Sequence, residues 1–170
     1  MDENIRSRTM TWSSPEEIRR AAHGRSGLEM LRGMVSGEIP PPPVASLVEM
    51  EIEDVERGKV RFAIQPAEFH LNPNGVLHGG IAALVCDTAC GCAVLSELLP
   101  GVTCATLEIK INYLRAVGEG SGRLTCTGSV LHLGRRSALS EAKMVDGRGK
   151  LVAHATSTLM IFSVDEPHGG

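Results

Sequence analysis

The chain has 170 residues, with 20 acidic and 17 basic side chains, a net charge of −3 and a pI near 6.1. That is enough chain for one domain with a real hydrophobic core, and the charge balance excludes a global attraction to nucleic acid or to an anionic membrane. The five cysteines, Cys86, Cys90, Cys92, Cys104 and Cys126, are odd in number and three of them crowd one apolar segment, which fits reduced thiols in the cytoplasm better than a disulfide framework.

The first residues, Met1-Asp2-Glu3-Asn4, lack a basic stretch with an apolar segment behind it, so no signal peptide is expected. Residues up to about 12 carry no periodicity and are expected to fray. Ser14-Pro15-Glu16-Glu17 then opens a helix, with a Ser cap, Pro at the first helical position and Glu at the third. Ser26-Gly27-Leu28-Glu29 repeats the capping-box spacing, so Gly24 and Gly27 divide the region into two short helices ending near Gly37. Pro40 to Pro43 reads as a stiff extended linker. Residues 1–43 are therefore expected to form a helical arm and linker, 44–163 the main domain and 164–170 a tail.

From Val44 onward the dominant period is two. Val48, Met50 and Ile52 alternate with glutamates, and Val60, Phe62 and Ile64 alternate with Arg61, Ala63 and Gln65. Next comes the turn-rich run Asn72-Pro73-Asn74-Gly75-Val76-Leu77-His78-Gly79-Gly80, and behind it an almost wholly apolar stretch, Ile81 to Leu95. That stretch reads as a helix buried all round, with Gly79 and Gly80 at its first free N–H groups. It falls short of the roughly 20 residues of a membrane span, and it contains Asp87. An unpaired buried carboxylate is costly, so an Asp at this place invites a functional reading. Beyond the helix, Leu107, Ile109, Ile111 and Tyr113 alternate with Thr106, Glu108, Lys110 and Asn112. Further strands are expected over 124–133, 137–145 and 151–162, the last two joined by the hairpin signal Asp146-Gly147-Arg148-Gly149. Two strands, one long helix and four strands make an α+β domain in which a sheet curls around the helix.

Asn72, the Gly75 turn, His78-Gly79-Gly80 and Asp87, followed by Thr106-Leu107-Glu108-Ile109-Lys110-Ile111-Asn112-Tyr113-Leu114, resemble the hotdog-fold acyl-CoA thioesterases of the phenylacetate-pathway (PaaI) type. The resemblance runs from about Val44 to Phe162. It implies a curved antiparallel sheet around one long helix, and hydrolysis of an acyl-CoA by a homodimer, with pairing into a dimer of dimers left open. It implies no metal and no cofactor, coenzyme A being part of the substrate, and no nucleic-acid or membrane partner.

Thioester hydrolysis needs an activated nucleophile and a donor for the developing oxyanion. The Gly79 N–H lies at the positive end of the helix dipole, and a glycine there lets a carbonyl approach the backbone. Gly80 stands beside it as a substrate-contacting residue. Asp87 is a carboxylate able to act as general base or to attack directly. Eight helical residues put Gly79 and Asp87 roughly 12 Å apart, too far to meet at one carbonyl carbon. Antiparallel pairing of two such helices brings the Asp87 of one subunit to the Gly79 of the other, which makes the site composite. The resemblance further implies an orienting hydroxyl at Thr106, an Asn72 amide near the thioester or its water, and His78 as a loop support. Arg135 and Arg136 form a basic turn suited to coenzyme A phosphates.

Other readings compete. Asp87 could be a structural carboxylate in a subunit interface. Cys86 and Cys90 have a ligand-like spacing, but no second pair completes a metal site. His70, His132 and His154 read as ordinary loop or strand residues. A hydratase or dehydratase of the same fold would use a His where this chain has Asp87. A non-catalytic acyl-CoA sensor would bring a DNA-binding module that the modestly charged N-terminal helices do not resemble.

Overall fold

The computed structural model describes residues 5–164; the expectations for 1–4 and for most of the tail lie outside the described residues. Two capped helices come first. In α1 (Pro15–Ala22) the Ser14 hydroxyl accepts the Glu17 N–H at 3.1 Å. In α2 (Gly27–Ser36) Ser26 and Glu29 form the reciprocal capping box, and Gly37 ends the helix in the left-handed conformation at φ 79°. Helix α2 shares the main core. Leu31 is fully buried in it, and the Gly27 N–H donates to the Leu98 carbonyl at 3.1 Å. A Cβ on Gly27 would fall 1.8 Å from the Leu95 carbonyl oxygen, so the helix start is pressed directly onto backbone.

The proline segment is extended at Pro42 (φ −66°, ψ 152°) and departs from the expected extended chain only at Pro43. Pro43–Leu47 forms a short helix, α3, with Pro43 at a position where its missing N–H costs nothing. Glu49 then takes φ 49°, the only non-glycine positive φ among the described residues, and turns the chain into β1 (Met50–Glu56). The first strand therefore starts at Met50, two residues beyond Val48, because helix and turn consume the start of the alternation.

Strands β2 (Lys59–Ile64), β3 (Val102–Tyr113), β4 (Leu124–Leu133), β5 (Ser137–Val145) and β6 (Leu151–Ser163) complete one antiparallel sheet, with order β1-β2-β4-β5-β6-β3. The turn between β5 and β6 is built as its sequence dictates, with the Asp146 carboxylate accepting the Arg148 and Lys150 N–H groups at 2.9 Å each. Helix α4 (Gly79–Leu95) lies in the curve of this sheet, and the whole is a hotdog fold.

Helix α4 is seated by one stripe of small residues. Ala82, Val85, Cys86, Ala89, Cys90 and Ala93 are buried against the sheet. On β4, a Cβ at Gly128 would lie 2.0 Å from the Ala89 carbonyl oxygen, so helix and strand meet backbone to backbone. The opposite stripe, Gly80, Ala83, Leu84, Asp87 and Gly91, is only half-covered. The expectation of a helix buried all round fails here, because six strands curl around one side of α4 and leave the other open. Among the described residues no helix is long and apolar enough to cross a membrane.

Candidate active site

The site is organised by antiparallel packing of α4 against β3. Tyr113 at the end of the strand meets Gly79 at the start of the helix, Thr106 meets Asp87, and Cys104 meets Gly91. Thr106 reaches the helix through an irregularity. Strict alternation puts it on the outer face with Glu108 and Lys110. The pairing instead slips between Thr106 and Glu108, leaving Leu107 as an extra residue, 62% exposed. That bulge returns Thr106 to the helix-facing side, in line with Ile109 and Ile111. Its hydroxyl donates to an Asp87 carboxylate oxygen at 2.8 Å.

The helix start is built from the loop before it. The Asn72 side-chain oxygen accepts the Asn74 N–H at 2.9 Å and the Val76 N–H at 3.4 Å, so it holds its own turn, and its amide NH2 is left for other acceptors. Gly75, at φ 72°, supplies the left-handed residue of that turn. His78 caps α4, its Nδ1 accepting the Gly80 N–H at 2.9 Å. The Gly80 amide is therefore already engaged, against the expectation that both glycines present free N–H groups; the imidazole acceptor sits just where it captures the second one. The Gly79 N–H donates to no acceptor among the described residues.

Two residues outside the expected set hold this corner. The Tyr113 hydroxyl donates to the Gly79 carbonyl at 3.0 Å, and its ring lies where a Cβ on Gly79 would be 3.3 Å away. The Gly79–Gly80 peptide is thus held at both ends, by tyrosine at the oxygen and by His78 at the nitrogen. Behind it, buried His70 accepts the His78 N–H on its carbonyl at 2.9 Å and the Ala67 N–H on Nδ1 at 3.1 Å. That places the neutral ring's proton on Nε2, and burial pushes the His70 pKa down, keeping the ring neutral. Arg8 stacks on the neighbouring Phe69 ring at 3.9 Å and donates to the Leu47 carbonyl at 2.6 Å, tying the N-terminal strap to the root of the loop. The signal for Tyr113 in the sequence was its place at the end of an alternating strand; His70 carried none.

Gly79, Tyr113, Val76, Ala82 and Val152 line a mainly apolar cleft of about 330 Å³. Arg135 and Arg136 lie apart from it, exposed in the turn between β4 and β5, where the Arg136 carbonyl accepts the Ile161 N–H at 3.0 Å. Ile161 pairs with Cys104, so this turn sits at the Thr106 end of the sheet and not at the Gly79 end. Three thiols near Asp87 are pushed up by burial, Cys90 and Cys104 to about 11 and Cys92 to about 12. None competes with the carboxylate as a nucleophile at neutral pH.

A curved sheet around one helix, with a carboxylate and a free helix-start amide along that helix, defines a thioester-hydrolysing hotdog protein. The thioesterase-superfamily profile matches residues 74–153, the segment from the loop before α4 into β6. A 1,4-dihydroxy-2-naphthoyl-CoA hydrolase from Listeria monocytogenes is 27% identical over 114 residues, covering 67% of this chain and 91% of that protein. Among solved structures, a phenylacetic acid degradation-related protein from Ralstonia eutropha JMP134 is 29% identical with TM-score 0.70, covering 76% of this chain and 98% of that one. A thioesterase-type protein from Streptococcus pneumoniae TIGR4, solved with coenzyme A, is 31% identical with TM-score 0.62, covering 67% and 89%. The chain belongs to the thioesterase superfamily, resembles its PaaI-type members, and is a thioester hydrolase.

Proposed function

We propose that the protein hydrolyses a small or medium acyl-CoA or aryl-CoA to the free acid and coenzyme A, in a site shared by two subunits. The observation that carries this reading is the pairing of Thr106 with Asp87 at 2.8 Å on the helix whose Gly79 N–H stands unengaged. The substrate carbonyl would accept from Gly79 N–H, where the helix dipole and a fixed donor stabilise the oxyanion. Asp87, oriented by Thr106, would attack the carbonyl carbon or take a proton from the attacking water. The coenzyme A thiolate then leaves and is protonated; where Asp87 itself attacks, water hydrolyses the resulting mixed anhydride, which releases the acid and restores the carboxylate. Water and the carboxylate suffice, so no metal or further cofactor enters. The naphthoyl-CoA hydrolase and the coenzyme A-bound relative support the substrate class.

Two features support the dimer. The roughly 12 Å between Gly79 and Asp87 along one helix keeps them from a single carbon. Beside the open stripe of α4 runs β3, a twelve-residue strand at the edge of the sheet. A long edge with Leu107 and Tyr113 more than half exposed is a liability that a second copy removes. Antiparallel pairing about a two-fold axis would cover edge and stripe together, and set each Asp87 against the partner's helix start.

The test is free-thiol release from a panel of acyl-CoA and aryl-CoA thioesters, followed by mixing of two dead variants. Asp87→Ala and Gly79→Pro subunits, each first shown folded by circular dichroism, should regain about a quarter of wild-type activity after subunit exchange, since half the dimers are mixed and each mixed dimer has one intact site. Confirmed exchange without recovery would sink the shared site; no thiol release from any thioester would sink the functional reading itself.

A further inference from the structure

Resting on the acyl-CoA reading above, we propose that Arg8 and His70 are positioning residues for the Gly79 oxyanion donor, so that the N-terminal strap sets the rate at a cleft none of its residues lines. An oxyanion donor acts only within hydrogen-bond reach of the developing charge, so the direction of its N–H matters. That direction is inherited from the loop before α4. Residues 70–78 form a narrow hairpin: the His70 carbonyl accepts the His78 N–H at 2.9 Å, Leu71 pairs with Leu77, and the Asn72 N–H donates to the Val76 carbonyl at 2.8 Å. His78 closes the base of the hairpin, and the next N–H along the chain is that of Gly79. One leg is pinned by the Leu77 N–H, which donates to the Val117 carbonyl at 2.7 Å. The other leg begins at His70 and depends on what holds His70.

His70 ends a single helical turn, Glu68–His70, and its ring folds back to close that turn. The bond it makes, Nδ1 accepting the Ala67 N–H at 3.1 Å, requires an unprotonated Nδ1. The buried Nε2 has no hydrogen-bond partner among the described residues. A buried polar atom left so is costly, and the ring stays there because of what packs on it. Arg8 supplies that packing. Its guanidinium lies 3.9 Å over the Phe69 ring, and the Phe69 and His70 rings stand tilted at 4.1 Å between centroids. The same guanidinium donates to the Leu47 carbonyl at 2.6 Å and pairs with the Glu49 carboxylate at 3.2 Å, at the turn where Glu49 takes its positive φ. One side chain thus fastens the Glu68–His70 turn to the turn before β1. Arg6 adds an exposed pair with Glu68 at 3.3 Å. Burial is the main force lowering the His70 pKa; the Val48 carbonyl and the Glu49 carboxylate oppose it, and the Arg8 charge adds to it. Loss of Arg8 would loosen the ring, free the hairpin leg at His70 and let the Gly79 N–H wander. A misplacement of about 1 Å, made far from the chemistry, costs up to about 10² in rate.

Arg8→Ala should lower kcat roughly tenfold or more and leave KM for the best thioester of the panel unchanged, because a displaced oxyanion donor weakens the transition state and not ground-state binding. His70→Ala should act in the same direction. His70→Asn, whose Oδ1 replaces Nδ1 as acceptor for the Ala67 N–H, should recover most of the rate. Each variant is first shown folded by circular dichroism; if His70→Ala does not fold, Arg8→Ala and His70→Asn still decide. Amide ¹H–¹⁵N NMR of the unliganded protein supplies a readout that needs no substrate. The Gly79 peak should move in Arg8→Ala and in His70→Ala, and return towards its wild-type place in His70→Asn. In Arg8→Ala the His70 ring should also titrate closer to an ordinary histidine, since burial and the neighbouring positive charge are both reduced. A Gly79 amide that stays put in Arg8→Ala overturns the proposal. So does a lowered melting temperature with unchanged kcat, which makes the strap a support of the fold alone, or a raised KM at constant kcat, which sets it against the substrate. His70→Asn as slow as His70→Ala overturns the part given to the ring. If wild type cleaves no thioester, the functional reading falls, and the Gly79 amide still decides whether the strap positions the helix start.

Discussion

The two stripes of α4 are made from the same small apolar residues, yet one seats the helix and the other carries the candidate chemistry. On the sheet side, Ala89 and its neighbours sit so close to β4 that only a glycine fits at 128. On the opposite side, Gly80, Ala83 and Gly91 leave space, and the carboxylate of Asp87 stands there half-exposed with a single hydroxyl partner. Small side chains permit two kinds of approach, by a strand on one side and by a substrate or a second subunit on the other. Local composition does not distinguish them; the surroundings do.

The largest effect should come from the closed side. Gly128→Ala drives a Cβ to 2.0 Å from the Ala89 carbonyl oxygen, which only a shift of helix or strand relieves. A loss of about 3 kcal/mol or more in denaturant unfolding is expected. A variant as stable as wild type would mean that α4 is not seated on β4 in this way.

On the open side the effect should be on rate and not on stability. Asp87→Asn keeps the shape and removes both base and nucleophile, so kcat should fall by at least about 10²-fold. Its unfolding free energy should move by no more than about 1 kcal/mol, since the Asn oxygen still accepts from Thr106. Turnover within a few-fold of wild type would reduce Asp87 to an interface carboxylate and erase the contrast between the two stripes.

Thr106→Val sharpens the same contrast. A hydrogen bond to a charged group is worth about 1.5–3 kcal/mol, so kcat should drop roughly tenfold or more while Thr106→Ser, which keeps the hydroxyl, stays near wild type. If valine and serine behave alike, the 2.8 Å contact does not orient the carboxylate.

The smallest effect concerns the end where the two stripes meet the loop. Tyr113→Phe keeps the ring over Gly79 and removes only the bond to its carbonyl. A neutral hydrogen bond contributes about 1 kcal/mol, so kcat should fall several-fold with KM for acyl-CoA unchanged. A rise in KM with constant kcat would show instead that the phenol touches bound substrate.

The sequence alone carried the order of the elements, both capping motifs, the Asp146 turn and the motif that runs from Asn72 to Asp87. These are legible because each depends on near neighbours: an acceptor three residues from its donor, a glycine at a forced φ, a period of two along a strand. The short helix at Pro43 was missed because prolines suit both an extended chain and a helix start, and local sequence does not choose between them.

What tertiary structure decided were the relations across the chain. Alternation by itself turns Thr106 away from Asp87; one extra residue at Leu107, defined only by pairing with β6, turns it back. His78 and Gly80 were both marked by the motif, but only the folded loop showed that the imidazole occupies the Gly80 amide and leaves Gly79. Tyr113 and buried His70 gained their places as supports from contacts 34 and 8 residues away along the chain. Arg8 meets Phe69, Leu47 and Glu49 only because the N-terminal strap crosses two turns that lie far along the chain. Short-range rules set which element forms and where it caps. Which residues face each other across a bulge, a helix stripe or a strap is set by packing, and in this fold the candidate chemistry lies at those meetings.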